Sequence, residues 1–289
     1  MSHEDKVIEL LESQGFSAPT SVERLGGLTN RSYRAIGSDY DVVVRFSGDG
    51  TEGLVNRAEE KMINEEASRI GVDSKLFYFD GLSGRKISAY IPHAETMHAD
   101  TARKSENIEL IGKLFAKLHT EAQSVPVIFD PLQKVKDYEK LIFADGGTLW
   151  DDYEQVKKQV LAATTRFPAQ TRTFCHCDPL CENFVKDTES NRMYLVDWEY
   201  SGMCEPLWDV ADIAIEAEYG EEEIVALARA YFGREATKQE LEHIYANMVL
   251  IDFLWSLWGE QRSLYDASLI GYGDARYTRA KKNLTKLSK

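Results

Sequence analysis

The sequence predicts an α+β protein with two lobes, a small antiparallel β-sheet lobe over residues 1–91 and a larger, mainly helical lobe over residues 92–289. Short β-rich segments separated by glycine-containing turns occupy the first part of the chain, whereas segments with a helical period follow Pro92. One β-rich interruption, at residues 173–198, lies within the helical part and carries closely spaced His, Asp and Asn residues. We therefore expect a small sheet domain joined to a helical domain.

The first lobe is predicted from strand and turn signals. Apolar residues at helical spacing predict a leading helix at residues 5–14, and a charged amphipathic helix is predicted at residues 56–70. Glycine-rich turns separate the strands and favour antiparallel neighbours. The five predicted strands span residues 21–25, 31–36, 40–46, 75–80 and 86–91.

The second lobe is predicted from helical periodicity. Its helices are expected at residues 102–122, 132–143, 149–163, 208–218, 221–231 and 238–262, with one more at the C-terminus.

Charge and hydropathy exclude several classes of protein. The 34 Lys and Arg against 48 Asp and Glu give a net charge of -14, which argues against a nucleic-acid partner because such a partner needs a basic face. The longest apolar stretch, residues 248–258, is short and is interrupted by Asp252, so no membrane span is expected. The polar, acidic N-terminus does not resemble a secretory signal, so a cytoplasmic location is expected.

The most informative motif is His176-Cys-Asp-Pro-Leu-Cys-Glu-Asn183, followed by Asp197 at the end of an apolar run. This order and spacing is typical of phosphoryl transfer from ATP with Mg²⁺. Asp178 would accept or orient the proton of the attacking hydroxyl, and Asn183 and Asp197 would hold the metal ion. Together with the two predicted lobes, the motif indicates a bilobal protein-kinase-like fold.

Three further residues near this motif have open roles. Glu199 would reach a second metal ion through water or would only hold the loop. His176 is expected to orient the loop by hydrogen bonding rather than to act as an acid or base. Asp209 would accept N–H bonds at the base of the loop, and the alternative is a simple helix N-terminal charge.

The first lobe supplies the expected nucleotide site. Gly26 to Arg31 would cover the phosphates, with Thr29 and Asn30 adding side-chain donors, although a plain hairpin turn fits equally well. Arg45 on the third strand would bind phosphate and pair with a carboxylate from the next helix. Glu60 is preferred as that carboxylate over Glu59, and the alternative for Arg45 is a solvated strand end. By analogy with kinases, the backbone of residues 88–91, which include Ser88 and Tyr90, would hold the edge of the adenine ring between the lobes.

The four cysteines lie within thirty residues, at positions 175, 177, 181 and 204. Cys-His-Cys is compatible with a zinc site, but a second ligand pair at the spacing of a zinc finger is missing. Buried, reduced cysteines are the preferred interpretation.

The motifs resemble those of the choline/ethanolamine kinase family, within the superfamily that contains the aminoglycoside phosphotransferases. His176 to Val185 matches the HxDxxxxN loop, and Val196-Asp-Trp-Glu-Tyr-Ser-Gly202 followed by Asp209 matches the second family motif. Gly-Gly-Leu-Thr-Asn-Arg near position 30 and Val-Asn-Arg-x-x-Glu-Lys at residues 55–61 are similar to short bacterial choline kinases. Arg45 departs from the commoner Lys of the superfamily.

The resemblance also implies a substrate. Trp255 and Trp258 occupy the family position of the aromatic wall around a quaternary ammonium group, although a core stripe is the alternative. By family position Glu216 is the accompanying carboxylate, and Tyr219, Tyr272 or Tyr277 would add a ring. The implied reaction is phosphorylation of choline by ATP and Mg²⁺.

Other functions stay open at this point. Ethanolamine, another small amino alcohol or an aminoglycoside is the alternative acceptor. A catalytically silent binding protein is a third option, against which the intact Asp178, Asn183 and Asp197 argue. The sequence does not fix the oligomeric state, and a homodimer is one option.

Overall fold

The computed structural model describes residues 2–25, 30–47, 56–167 and 171–287. Within these ranges the chain has a mixed α+β architecture, with a five-stranded antiparallel sheet at its start and mainly helices afterwards. The predicted fold class is therefore confirmed.

The N-terminal sheet contains all five predicted strands. They are arranged in the order β1-β2-β3-β5-β4, and every neighbouring pair is antiparallel. The strands are β1 (Ser21–Arg24), β2 (Arg31–Ile36), β3 (Asp41–Phe46), β4 (Leu76–Phe79) and β5 (Lys86–Ala89). The central position of β3 places Arg45 next to Lys86 of β5 in the sheet register.

Two helices pack with this sheet, α1 (His3–Ser13) and α2 (Arg57–Ile70). Ser2 begins α1 with a reciprocal capping box to Asp5, which satisfies N–H groups at the helix start. The apolar face of α1 packs on alternate residues of the sheet, and the shared core contains Val7, Leu10, Leu11, Val42, Val44 and Ile87. Asn56 caps α2, and Gly71 ends it with a left-handed backbone.

The rest of the chain is mainly helical. Its helices are α3 (Ala99–Ala102), α4 (Ser105–Glu121), α5 (Pro131–Ala144), α6 (Tyr153–Thr165), α7 (Leu207–Glu216), α8 (Glu221–Phe232), α9 (Lys238–Ser263) and α10 (Tyr272–Leu287), with short 3₁₀ turns at Cys181–Asn183 and Ala267–Leu269. None of the helices in the described ranges has the length and apolar character needed to cross a membrane.

The prediction of one continuous helix over residues 102–122 is wrong, because Lys104 has an extended backbone between α3 and α4. The side chain of Asn107 donates to the Thr101 carbonyl at 2.9 Å. In a continuous helix that carbonyl would accept the N–H of residue 105, so the side chain replaces a helical hydrogen bond.

Short strands surround the catalytic motif. They are β6 (Ala94–Thr96), β7 (Thr173–Cys175), β8 (Phe184–Asp187), β9 (Arg192–Leu195) and β10 (Gly202–Cys204). One sheet has the order β6-β8-β9, and β7 pairs with β10. The sequence did not predict β6 or β10, because three residues are too few to show an alternating pattern.

The segment after α2 contacts the β-rich insertion directly. The Val72 carbonyl accepts the Leu195 N–H at 2.9 Å, and the Gly71 carbonyl accepts an Arg192 N–H at 2.6 Å. Asp73 accepts the indole N–H of Trp198 at 3.1 Å and contacts Lys86 at 3.3 Å. The stretch that carries Asp197 is thereby tied to the sheet of the first part. The division at residues 91 and 92 stays a prediction.

Candidate active site

The catalytic loop is fixed at its base by Asp209, near the start of α7. The Asp209 carboxylate accepts the N–H groups of His176 and Cys177, both at 2.8 Å, and lies 3.0 Å from Nε2 of His119. Asp209 is fully buried, and Cys177 has a left-handed backbone with φ of 68°. Such a conformation costs free energy in a non-glycine residue, so the buried carboxylate holds a strained turn in place.

His176 lies behind the loop. Its ring is buried, its Nε2 lies 3.0 Å from the Val196 carbonyl, and its ring edge meets Trp198 with centroids 4.8 Å apart. Burial lowers the pKa of His176, so the ring is neutral and Nε2 carries the proton that the carbonyl accepts. These contacts join the catalytic loop to the strand before Asp197, which is a positioning role.

Asp178 follows the strained turn and is only partly buried. Burial, followed by the charges of Glu216, Asp197 and Glu199, raises its pKa to about 8. The Asn183 side-chain amide donates to the Asp178 backbone carbonyl at 3.0 Å, which leaves the amide oxygen of Asn183 available as a ligand. The 3₁₀ turn at Cys181–Asn183 thus brings the two motif ends together.

Asp197 and Glu199 form the second half of the site. Asp197 has a left-handed backbone with φ of 68°, and its buried Oδ1 has no hydrogen-bond partner among the described residues. Burial and then the Asp197 charge raise the pKa of Glu199 to about 7. Two crowded carboxylates with an oxygen left unpartnered are the donor set expected for a divalent cation.

Arg45 and Glu60 meet in the interior. Both side chains are buried and form a short ion pair, while Arg57 donates to the second oxygen of Glu60 at 2.5 Å. Glu59, the alternative, is partly exposed on α2. Arg57 was not predicted, although its position three residues before Glu60 on a helix was a usable signal.

The remaining residues predicted for the nucleotide site are Thr29, Asn30, Ser88 and Tyr90. Thr29 lies outside the described residues, whereas Oδ1 of Asn30 is buried without a partner in the described part of the chain. Ser88 is buried in β5 with strand partners on both sides, Val43 and Leu76. Tyr90 follows that strand, and its ring lies 3.7 Å from the Arg34 guanidinium.

Four rings form an aromatic wall, which consists of Tyr200, Trp255, Trp258 and Tyr272. Neighbouring rings meet edge to face, with centroids 5.6 Å apart for Tyr200 and Trp255, 6.3 Å for the two tryptophans, and 5.6 Å for Trp258 and Tyr272. Burial raises the pKa of Tyr200 and of Tyr272, and the Asp178 charge adds to both. The Asp178 charge therefore acts on the rings at both ends of the aromatic wall.

The other candidate tyrosines have different contacts. The buried hydroxyl of Tyr219 donates to the Ala102 carbonyl at 2.7 Å, and Tyr277 stacks on Trp150 at 3.9 Å. Neither has a ring contact with Trp255 or Trp258 in the described ranges, so Tyr272 is the one of the three candidate tyrosines there whose ring meets a tryptophan of the wall. Tyr200 was missed, although it directly follows Glu199 in the motif.

Glu216 ends α7 beside this wall and faces Arg276, a residue that the sequence did not single out. Glu216 Oε1 and Arg276 Nη2 form an ion pair at 2.5 Å. The angle between the two groups does not meet the geometry of a hydrogen bond among the described residues. Arg276 also donates to the Tyr272 hydroxyl at 3.0 Å and to Asp252 at 3.2 Å. Arg276 thus links the carboxylate to the aromatic wall.

The cysteines are all free and buried, which agrees with the preferred interpretation. In the described chain, the one group of three residues close enough to share a metal ion is His119, Cys175 and Asp209. Both oxygens of Asp209 already accept backbone N–H groups. The alternative of a zinc site built from the Cys-His-Cys stretch is therefore not supported.

Comparison with known proteins agrees with this geometry. Residues 22–231 match the family model described as choline/ethanolamine kinase. The chain belongs to this family. The family is one of kinases, so the protein uses a nucleotide and acts on a small alcohol, and the predicted resemblance is confirmed. The tryptophans of α9 and the whole of α10 lie beyond the matched residues, so this match does not cover the aromatic wall.

Two solved structures are similar to nearly the whole chain. A choline/ethanolamine kinase family protein from Mesorhizobium loti is 33% identical, with a TM-score of 0.84 over 97% of this chain and 93% of that protein. Choline kinase LicA from Streptococcus pneumoniae is 32% identical, with a TM-score of 0.80 over 99% of this chain and 100% of that protein. Among the curated proteins, protein LicA from Haemophilus influenzae is 23% identical over 91% of this chain and 79% of its own length.

Proposed function

We propose that the protein transfers the γ-phosphoryl group of ATP to the hydroxyl of choline, giving phosphocholine and ADP. The observation that carries this proposal is the aromatic wall beside Glu216, within the electrostatic reach of Asp178. A trimethylammonium group cannot donate hydrogen bonds, so ring faces and a nearby carboxylate are the groups that bind it. Similarity to a choline kinase over the full chain supports the same acceptor.

Asp178 is the proposed catalytic residue. A choline molecule whose ammonium group contacts the aromatic wall and Glu216 would direct its hydroxyl toward Asp178. The raised pKa of Asp178, about 8, suits a carboxylate that takes up the hydroxyl proton near neutral pH. The proposed role of His176 and Asp209 is to hold the loop in this orientation through the contacts described above.

Asn183 and Asp197 are the proposed ligands of Mg²⁺, with Glu199 as an additional ligand. Three groups fit a hard divalent cation: the Oδ1 of Asp197, which has no hydrogen-bond partner in the described part of the chain, the amide oxygen of Asn183 and the crowded Glu199 carboxylate. When bound, Mg²⁺ would neutralise charge on the phosphates of ATP.

The proposed nucleotide site uses the first part of the chain. The Arg45–Glu60 pair would orient the phosphates, and Thr29 and Asn30 would supply further side-chain donors to them. The backbone after Ser88, at Tyr90, would hold the adenine edge. A cytoplasmic location and a homodimer stay predictions.

The acceptor is tested by measuring ADP release with Mg-ATP side by side on choline, ethanolamine and an aminoglycoside. We expect a kcat/KM for choline at least tenfold above the others. Preference for ethanolamine would keep the kinase and refute the choline assignment. No turnover of any of the three would refute the proposed acceptor class.

A further inference from the structure

Helix α7 presents three acidic residues on one face, because Asp209, Asp212 and Glu216 are spaced by three and four positions. The outer two have partners. Asp209 accepts two backbone N–H groups of the catalytic loop, and Glu216 faces Arg276. Asp212 lies between them, one helical turn from each.

Among the described residues, Asp212 has no hydrogen-bond partner. It is 1% exposed, and neither carboxylate oxygen accepts a hydrogen bond from any residue in the described ranges. A buried carboxylate without donors is costly, so it stays protonated or requires a cation. The fold alone therefore does not explain why these two polar oxygens are buried.

The charges around Asp212 do not balance. Asp252 is bound through both oxygens by Arg279, at 2.7 Å each, and also by Arg276. Arg276 is shared with Glu216. Two arginines therefore serve three acids, the buried Asp212 and Asp252 and the partly exposed Glu216.

Four charged groups act on Asp212, and two of them belong to the proposed acceptor site. The four groups are Glu216 and Asp209 from its own helix, Asp178 from the catalytic loop and Arg276 from α10. Asp178 and Glu216 are also the two residues between which the proposed acceptor would lie. A cation that contacts Glu216 would lie above Asp212.

We propose that Asp212 is a buried counter-charge for the acceptor pocket, which becomes ionised when an ammonium group occupies the site beside Glu216. This inference rests on the proposed function. Burial and then the Glu216 and Asp178 charges raise the pKa of Asp212, which favours its protonated form while the pocket is empty. An ammonium group in the pocket favours the carboxylate, and the proton leaves to solvent. Binding of a cationic acceptor is thereby coupled to release of a proton.

A buried carboxyl group of this kind lets the acceptor pocket distinguish ligands by their charge rather than by their shape. An uncharged alcohol of the same shape as choline gains nothing from Asp212, because it does not ionise the carboxyl group. The carboxyl group is buried, so it acts on the substrate through space and leaves the contact surface to the rings and to Glu216.

The test compares choline with its uncharged isostere, 3,3-dimethylbutan-1-ol, in the Asp212→Asn variant, which keeps the side-chain shape. We expect the choline KM to rise about tenfold, equivalent to about 1.4 kcal/mol. The inhibition constant of the isostere should change less than twofold. An unchanged choline KM would refute the proposal, and an equal rise for both compounds would assign Asp212 to packing instead.

A second measurement needs no change at Asp212. Calorimetry of choline binding in buffers of different ionisation enthalpy counts the protons released, and the Asp178→Asn variant removes Asp178 as their source. We expect release near neutral pH with choline and none with the isostere; absence of release with choline would overturn the coupling. Failure of the wild-type protein to phosphorylate choline would instead refute the proposed function, so the two failures are distinguishable.

Discussion

Replacement of Glu60 by Gln tests the internal ion pair of the nucleotide site. Glu60 is 2% exposed and its carboxylate contacts two arginines, the buried Arg45 and the partly buried Arg57, one through each oxygen. The Gln side chain has the same shape but carries no charge. It also has one acceptor oxygen instead of two, so one arginine loses its partner.

The magnitude follows from burial. Removing one partner of a buried ion pair typically costs about 3–5 kcal/mol, because a charge is left uncompensated. Gln still accepts one hydrogen bond, so we expect about 3 kcal/mol, the lower end of that range. Arg45 also loses its orientation, so the KM for ATP should rise at least fivefold while the KM for choline changes little.

Urea unfolding measures the first effect and ADP-release kinetics measure the second. Glu59→Gln is the matched control, because Glu59 is the adjacent, partly exposed residue of the same helix. We expect the control to change the free energy of unfolding by less than about 0.5 kcal/mol. Equal effects of the two substitutions, or no effect of Glu60→Gln, would refute the assignment of Glu60 as the partner of Arg45.

Three further outcomes are expected. Trp255→Ala should raise the choline KM about tenfold, since a desolvated cation–π contact contributes about 1–2 kcal/mol, with the ATP KM unchanged; an unchanged choline KM would remove Trp255 from the site. Asp209→Asn should lower the free energy of unfolding in urea by about 2–3 kcal/mol and should remove most of kcat, because two N–H groups of the loop lose a charged acceptor. Full activity of this variant would contradict that role. Hydrogen bonding to Arg234 lowers the pKa of Glu240 to about 2, so its stabilisation is present above pH 4.5 and lost between pH 4.5 and 2. The stability difference between wild type and Glu240→Gln should therefore shrink in urea unfolding as the pH falls through that window, and a pH-independent difference would contradict it.

The architecture was predictable where local patterns are strong. The five strands of the first sheet and the long helices have clear periodicity and glycine or polar boundaries, and they occur close to the predicted positions. The break at Lys104 was not predictable, because it depends on a side-chain hydrogen bond from Asn107 that competes with the helix.

The motif residues of the candidate site were predictable from the sequence. The residues that contact them from distant parts of the chain were not. Asp178, Asn183 and Asp197 stand at a fixed spacing in the sequence, so a motif identifies them. Arg276 reaches the site from the last helix, more than seventy residues from Glu199, and only the packing of α10 on α9 brings it there. The sequence named Tyr272 as one of three candidate rings, and the same packing distinguishes it from the other two. Asp212 carried no signal beyond a helical spacing, since its missing partner is a property of burial.

The most direct test of the account follows phosphocholine formation by ³¹P NMR with Mg-ATP and choline, for the wild type and for Asp178→Ala. We predict that the wild type forms phosphocholine together with ADP. The variant should form it at least about 100-fold more slowly, the usual contribution of a general base, and should retain its fold by circular dichroism. Phosphocholine formation at an unchanged rate in Asp178→Ala would contradict the central claim.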